Sequence, residues 1–118
     1  MSQHDDYVNL RHMLDHATEA VALLQGITRA DLDKDRVLSL ALVRLLEIVG
    51  EAANRVTAAT QSEYPLIPWR QLIGLRNRLI HGYDAVDMDI LWTILTVDLP
   101  ALVQQLERAI TQQRPPGP

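Results

Sequence analysis

Hydrophobic residues recur at spacings of three and four along most of the chain, which is the pattern of amphipathic helices. The first such stretch runs from residue 5 to about residue 25 and stops at Gly26. The second runs from about Asp35 to Ala59 and is long enough to be a central helix. The third is predicted from Pro68 to about His81, because proline suits the first turn of a helix and Gly82 suits the position after its end.

The last helical region begins at Asp87, a residue type that caps helix amino termini, and Pro100 is expected to kink or reset it near Asp98. No stretch shows the alternation of a strand. We therefore predict an all-α fold, an up-and-down bundle of four main helices with a kinked or broken last helix. The bundle is expected to be one domain over residues 1–113, followed by a disordered Pro-rich tail over residues 114–118.

Two local patterns give finer predictions. Thr28 and Asp31 have the spacing of a capping box, with aspartate in place of the usual glutamate. Gly50 lies inside the central helix, where a glycine costs about 1 kcal/mol relative to alanine. We expect the backbone at Gly50 to be approached closely, by a neighbouring helix of the same subunit in preference to a second subunit.

Composition excludes several classes of function. The 118 residues contain no cysteine, which rules out disulfides, thiol catalysis and thiolate metal sites. No apolar run approaches the roughly 20 residues of a membrane span, and the start of the chain is acidic where a signal peptide is basic, so we expect a cytoplasmic protein. His12 and His16 have the spacing of zinc ligands on a helix, but without a third ligand a solvated face is favoured.

The net charge of −4 argues against general binding of nucleic acid, but the charges are unevenly distributed. Residues 1–40 and residues 84–118 each sum to −3, whereas residues 41–83 sum to +2. Such a patch can hold one or two phosphodiester groups. Either shape selects the substrate, or a second subunit doubles the patch.

The positive segment contains the groups suited to phosphate chemistry. Residues 76–83 read Arg-Asn-Arg-Leu-Ile-His-Gly-Tyr. Arginine offers a planar fork of donors to phosphate oxygens, and histidine, with an ordinary pKa of about 6.5, exchanges protons near neutral pH.

This segment has the Arg-x4-His-x-Tyr spacing and resembles the HepT-like proteins of the HEPN superfamily. Leu46–Asn54 is similar to the second-helix signature of that family. Ile67-Pro68-Trp69 followed by Gly74-Leu75-Arg76-Asn77 resembles its lead into the active helix, and Asp98-Leu99-Pro100 fits as well. The resemblance spans roughly residues 37–106. It implies a small helical ribonuclease that acts as a toxin beside a minimal nucleotidyltransferase antitoxin.

The resemblance and the chemistry together assign roles. Arg76 is expected to clamp the phosphate and His81 to act as general base or acid on RNA, whose own 2′-hydroxyl is the nucleophile, so neither metal nor cofactor is required. Arg70 and Arg78 are expected to position the RNA. The resemblance makes Tyr83 the acceptor of AMP from the antitoxin, which would block the site by bulk and charge.

Helix geometry adds two expectations. Asn77 and His81 are four residues apart and would share a helical face, so Asn77 is expected to orient the imidazole. Arg76 and His81 would lie about 140° apart on an ideal helix. They meet only if the helix unwinds near His81 or if a two-fold homodimer brings two motifs into one cleft.

Two further functions remain open for the chain. The chain can be a non-catalytic nucleotide- or substrate-binding partner subunit of a nucleotidyltransferase, or a purely structural dimerisation bundle.

Glu47 and Glu51 lie one turn apart, flanked by Arg44 and Arg55 at salt-bridging spacing. A structural or interface role for these glutamates is favoured, and a polar contact with the neighbourhood of Arg76 is the alternative.

Overall fold

A computed structural model describes residues 3–82 and 85–113. Its elements in chain order are α1 (Gln3–Leu23), α2 (Arg29–Lys34), α3 (Arg36–Arg55), α4 (Ala58–Glu63), α5 (Trp69–Ile73), α6 (Leu75–Leu79), β1 (Ile80–His81), β2 (Ala85–Val86), α7 (Met88–Thr93), a π-helical segment (Ile94–Asp98) and α8 (Leu99–Gln112). The predicted all-α bundle is confirmed, apart from one hairpin of two-residue strands. Tyr83 and the predicted tail at 114–118 lie outside the described residues.

The centre of the bundle is formed by α1, α3 and α8, with α1 packed against both of the other helices. Their inward positions carry aliphatic side chains that are removed from solvent. The largest fully buried residues of these three helices are Leu10, Met13, Leu42, Leu46, Leu99, Leu102 and Leu106. This core fixes α3, the helix against which α5 and α6 pack.

The central helix is shorter than predicted. It ends at Arg55, and a separate helix, α4, begins after Thr57. The cause is Asp6 of α1, whose carboxylate is only 2% exposed and accepts hydrogen bonds from the backbone N–H of Thr57 (2.9 Å), the Thr57 hydroxyl (2.6 Å) and the Thr60 hydroxyl. This contact from a distant segment stabilises an extended residue, Val56, where the hydrophobic pattern predicts helix.

Hydrogen bonding changes the acidity of Asp6. Burial raises the pKa of its carboxyl, but the hydrogen bonds from the side chains of Thr57 and Thr60 and from the backbone of Thr57 outweigh it, so the pKa lies below its ordinary value. The ionised form of Asp6 is therefore the form that holds α1 to α4.

The close approach predicted at Gly50 is confirmed, and it lies within one subunit. A Cβ atom at this position would lie 2.5 Å from the carbonyl oxygen of Leu72 in α5. The missing side chain allows α5 to lie directly on α3 and sets the spacing between α3 and the segment that carries residues 76–81.

The third predicted helix is divided and ends early. Gly74 separates α5 from α6, and α6 ends at Leu79 instead of His81. The next two residues form β1, in which Ile80 pairs with Val86 and His81 with Ala85 in antiparallel register. The prediction of Gly82 as the residue after a helix end is wrong; its positive φ of 74° serves the turn of the hairpin.

The last helical region agrees with its prediction. The side chain of Asp87 caps α7 by accepting the N–H of Ile90 at 3.1 Å. The π-helical segment then leads into α8 with helical backbone at Asp98 and Leu99, and Pro100, which has no N–H to donate, lies in the first turn of α8. The last helix is thus assembled from three pieces.

The capping box is confirmed, since Thr28 Oγ1 accepts the N–H of Asp31 at 3.1 Å and Asp31 accepts the N–H of Thr28 at 3.0 Å. Arg29, next in the chain, forms ion pairs with Asp33 at 3.1 Å and Asp89 at 2.6 Å. The second pair ties α2 to α7. Over the described residues, no helix has the length and apolar character to cross a membrane.

Candidate functional site

The residues singled out by the sequence lie at the junction of α6 and the hairpin. Leu75 and Leu79 point into the core and are buried, which leaves the three residues between them on the surface. Arg76, Asn77 and Arg78 are therefore all exposed, and so is His81 on β1. A short helix anchored by two leucines thus presents the polar part of the motif to solvent.

A groove between α3 and the α5–α6 segment receives two of these residues. Its volume is about 310 Å³, and Arg76 and Asn77 form part of its wall. On the opposite wall α3 contributes Glu47, Glu51 and Asn54. Polar and apolar surface line the groove in nearly equal measure, and its width follows from the contact of α5 with Gly50.

Within the groove, Arg76 faces Glu47. The Nε atom of Arg76 lies 3.9 Å from Oε2 of Glu47, and the side chains are 70% and 19% exposed, respectively. This is an ion-pair distance, too long for a hydrogen bond. Glu51 instead forms an ion pair with Arg44 at 3.3 Å. Glu51 therefore has the structural role expected for the paired glutamates, an ion pair within α3. Glu47 instead makes the contact with Arg76 that was the alternative expectation.

His81 faces a different carboxylate. Its Nε2 atom lies 4.0 Å from Oδ2 of Asp87, with the two side chains 64% and 34% exposed. The hairpin brings the two residues together, and the backbone N–H of Asp87 also donates to the carbonyl of Leu79 at 2.8 Å. Sequence reasoning assigned Asp87 only the role of helix cap. The signal for this contact was the spacing of six residues around a glycine turn.

The expectation that Asn77 orients His81 rested on a shared helical face, and that premise is wrong because α6 ends at Leu79. The same early end supplies the unwinding near His81 that was one of the two routes for Arg76 and His81 to meet. His81 nevertheless does not line the groove of Arg76, and each of the two side chains faces a different carboxylate. Asn77 lies in the groove beside Arg76.

Arg78 and Arg70 are outside this groove. Arg78 lies on the other side of α6, at the edge of a separate, mainly apolar groove of about 440 Å³ formed with the π-helical segment and α8. Arg70 is exposed on α5. Neither lines the groove of Arg76, so contact with RNA would require the substrate to extend beyond it.

Among the described residues, no three His, Asp or Glu side chains are arranged to hold a metal ion. His12 and His16, the pair with zinc-ligand spacing, belong to no such group there. Nδ1 of His16 lies 2.6 Å from the backbone oxygen of His12, and His12 is exposed.

Comparison with known proteins gives a consistent result. Residues 13–109 match the family model described as "Ribonuclease HepT-like". A protein of Thermococcus cleftensis named "Probable ribonuclease HepT" is 34% identical over 89% of this chain and 94% of its own length. A protein of Methanocaldococcus jannaschii named "Putative RNase MJ1380" is 31% identical over 91% of this chain and 98% of its own. No solved structure gives a significant match.

Proposed function

This chain belongs to the HepT-like ribonuclease family, and we propose that it is a metal-independent endoribonuclease toxin. The observation that supports the proposal is that Arg76 on α6 and His81 on β1 are both exposed, each facing a carboxylate of a neighbouring segment. Cleavage of RNA by its own 2′-hydroxyl needs these two functions, a proton carrier and a cation for the phosphate.

The reaction proceeds by transesterification. His81 takes the proton of the 2′-hydroxyl, the 2′ oxygen bonds to phosphorus, and the bond from phosphorus to the 5′ oxygen breaks. The imidazolium of His81 then gives a proton to the departing 5′ oxygen. The products are a 2′,3′-cyclic phosphate and a 5′-hydroxyl end.

Arg76 stabilises the charge that develops on the phosphate. Because its Nε atom faces Glu47, the terminal nitrogens of the guanidinium are free for phosphate oxygens. Asn77, on the same groove wall, contacts the same phosphate or the neighbouring ribose in this scheme. Arg70 and Arg78 bind flanking phosphates.

We further propose a homodimer. Val37 and Leu40 are exposed and lie on the face of α3 that continues, at helical spacing, to Glu47 and the groove. Ile73 of α5 is exposed on the other side of the groove. A second copy on this face would cover the apolar residues and place two basic segments side by side. Light scattering tests this directly, and a monomer at all concentrations excludes it.

The partner in this proposal is a minimal nucleotidyltransferase that inactivates the ribonuclease by transferring AMP to Tyr83. The support is the family and the position of Tyr83, two residues beyond His81. An adenylate there would add bulk and negative charge beside the phosphate-binding residues.

The test of ribonuclease activity is cleavage of labelled RNA in the presence of chelator, with the ends mapped for cyclic phosphate. His81→Ala should lower the cleavage rate by about 10²–10⁴-fold, the usual contribution of a positioned proton carrier. Arg76→Lys should also lose most activity, because a point charge does not reproduce the planar fork. His12→Ala, at an exposed histidine of α1, is the matched control.

Two outcomes would count against the proposal. Cleavage at the wild-type rate by His81→Ala would remove His81 from the mechanism. A wild-type protein that binds RNA or nucleotide without cutting would instead favour the alternative function, a non-catalytic binding partner of a nucleotidyltransferase.

A further inference from the structure

We infer that Asp87 is a positioning residue of this site, holding the imidazole of His81 in one orientation and one tautomer while it caps α7. The inference rests on the proposed function for its effect on catalysis. The pairing of the two side chains can be tested separately from activity.

The two oxygens of the Asp87 carboxylate have different partners. Oδ1 accepts the backbone N–H of Ile90 at 3.1 Å, the hydrogen bond that caps α7. Oδ2 lies 4.0 Å from Nε2 of His81. With Oδ1 engaged in the cap, Oδ2 is the oxygen that faces the ring of His81.

The backbone holds both partners in place. His81 pairs with Ala85 across the hairpin, and the N–H of Asp87 donates to the carbonyl of Leu79 at 2.8 Å, which closes the base of the hairpin. The ring and the carboxylate are therefore attached to neighbouring, hydrogen-bonded positions. Nε2 of His81 and Oδ2 of Asp87 are 4.0 Å apart, an ion-pair distance beyond hydrogen-bond range. In this proposal the exposed imidazole turns toward Oδ2 and donates to it already in the free protein.

This arrangement gives the two ring nitrogens separate tasks. With the proton on Nε2 directed at the carboxylate, Nδ1 is left to accept the proton of the RNA 2′-hydroxyl. The resulting imidazolium is stabilised by the adjacent negative charge until it protonates the 5′ oxygen. Asp87 touches neither the RNA nor the reacting atoms, so it acts through His81.

Capping α7 does not require a charged residue at position 87, whereas holding the imidazole of His81 does in this proposal. A neutral capping residue therefore separates the two roles of Asp87. Asparagine and serine cap a helix about as well as aspartate. Asp87→Asn should therefore keep α7 while removing the carboxylate that faces His81. Asp87→Ser also keeps the cap, and its side chain is too short to reach the ring.

The chain supplies a matched control. Asp35 caps α3 through the same kind of bond, with Oδ1 accepting the N–H of Leu38 at 2.9 Å, and the described structure shows no contact of Asp35 with the site. Asp35→Asn thus removes one negative charge from a helix cap elsewhere in the fold. It should leave both kcat and KM unchanged.

The expected result is a fall in kcat of up to about 10²-fold for Asp87→Asn and Asp87→Ser, the size of effect a misplaced reacting group produces. KM should change less than twofold, since no RNA contact is lost. Melting temperatures of the Asp87→Asn and Asp35→Asn variants should match wild type. A wild-type kcat in both Asp87 variants, or an equal loss of kcat in Asp35→Asn, would overturn the inference.

A second measurement does not depend on activity. In nitrogen NMR of wild type, the ring of His81 in its neutral form should carry its proton on Nε2, and Asp87→Ser, which leaves no acceptor within reach of the ring, should shift the balance between the two nitrogens. Unchanged ring signals in Asp87→Ser would overturn the pairing. If wild type does not cut RNA, the proposed function fails, and the ring signals still decide whether the pair exists.

Discussion

Substituting alanine for Gly50 tests how the fold sets the width of the candidate groove. The new Cβ would lie 2.5 Å from the carbonyl oxygen of Leu72, where ordinary contact begins at 3.4 Å, so α5 must move by about 0.9 Å. The carbonyl cannot simply turn away, because it accepts a hydrogen bond from the N–H of Gly74. The clash is therefore between two backbones.

The net effect follows from two opposing terms. Overpacking of this kind costs about 1–3 kcal/mol, and the better helix propensity of alanine returns about 1 kcal/mol. We expect Gly50→Ala to lose about 1 kcal/mol or slightly more in free energy of unfolding, which lowers the melting temperature by roughly 3–6 °C per kcal/mol in a domain of this size. The displaced α5 should also carry Arg76 away from Glu47 and reduce RNA cleavage.

The assay is thermal and urea unfolding followed by circular dichroism, together with the RNA cleavage rate. Gly74→Ala is the control, since its nearest neighbour would be the carbonyl oxygen of Arg70 at an ordinary 3.4 Å. That variant should be as stable as wild type. If Gly50→Ala melts at or above the wild-type temperature, the contact between α3 and α5 is not the constraint described here.

Three further predictions concern single side chains. Because the folded-state pKa of Asp6 is depressed, the stabilisation that Asp6 provides is present above about pH 4 and is lost as the pH falls through that pKa. Asp6→Asn should lose about 2 kcal/mol of unfolding free energy at pH 7. In urea titrations, the unfolding free energy of this variant should depend less on pH than that of wild type. Glu47→Gln should lower kcat by releasing Arg76, whereas Glu51→Gln removes the same charge and should not, as steady-state cleavage kinetics will show. Tyr83→Phe should keep much of the cleavage activity but escape inactivation by the nucleotidyltransferase and ATP, and mass spectrometry should find adenylate on wild type only.

The sequence predicted the helices well because their periodicity comes from the core itself. It failed at two helix ends, and both failures have tertiary causes. Asp6 stabilises a break after Arg55, although it is nearly fifty residues away in the chain. Pairing of β1 with β2 ends α6 at Leu79. The sequence did not reveal this end, because a positive-φ glycine at position 82 fits either a helix end or a hairpin turn.

In the candidate site, too, the sequence predicted a local pattern but not the contacts that folding creates. The spacing within residues 76–83 was enough to propose Arg76 and His81 as site residues, because the motif is local. Their carboxylate partners come from segments brought close by folding, Glu47 from α3 and Asp87 from the far side of the hairpin. For Asp87 the cap pattern alone accounts for an aspartate at this position, so the sequence does not single it out as a partner of His81.

The early end of α6 also changes the argument for a dimer. On a continuous helix, Arg76 and His81 would lie about 140° apart, and a second subunit would be needed to complete one site. With His81 on β1, the helical angle no longer applies, and the exposed apolar face of α3 is what supports the dimer proposal. His81 does not line the groove that Arg76 and Asn77 line, so one subunit forms a complete site only if the RNA spans both the groove and the hairpin. A dimer would then extend the surface for RNA without supplying a missing residue. Cleavage per subunit should therefore persist when the protein is diluted to monomers, with a raised KM and little change in kcat; a kcat that disappears on dilution would restore the composite site.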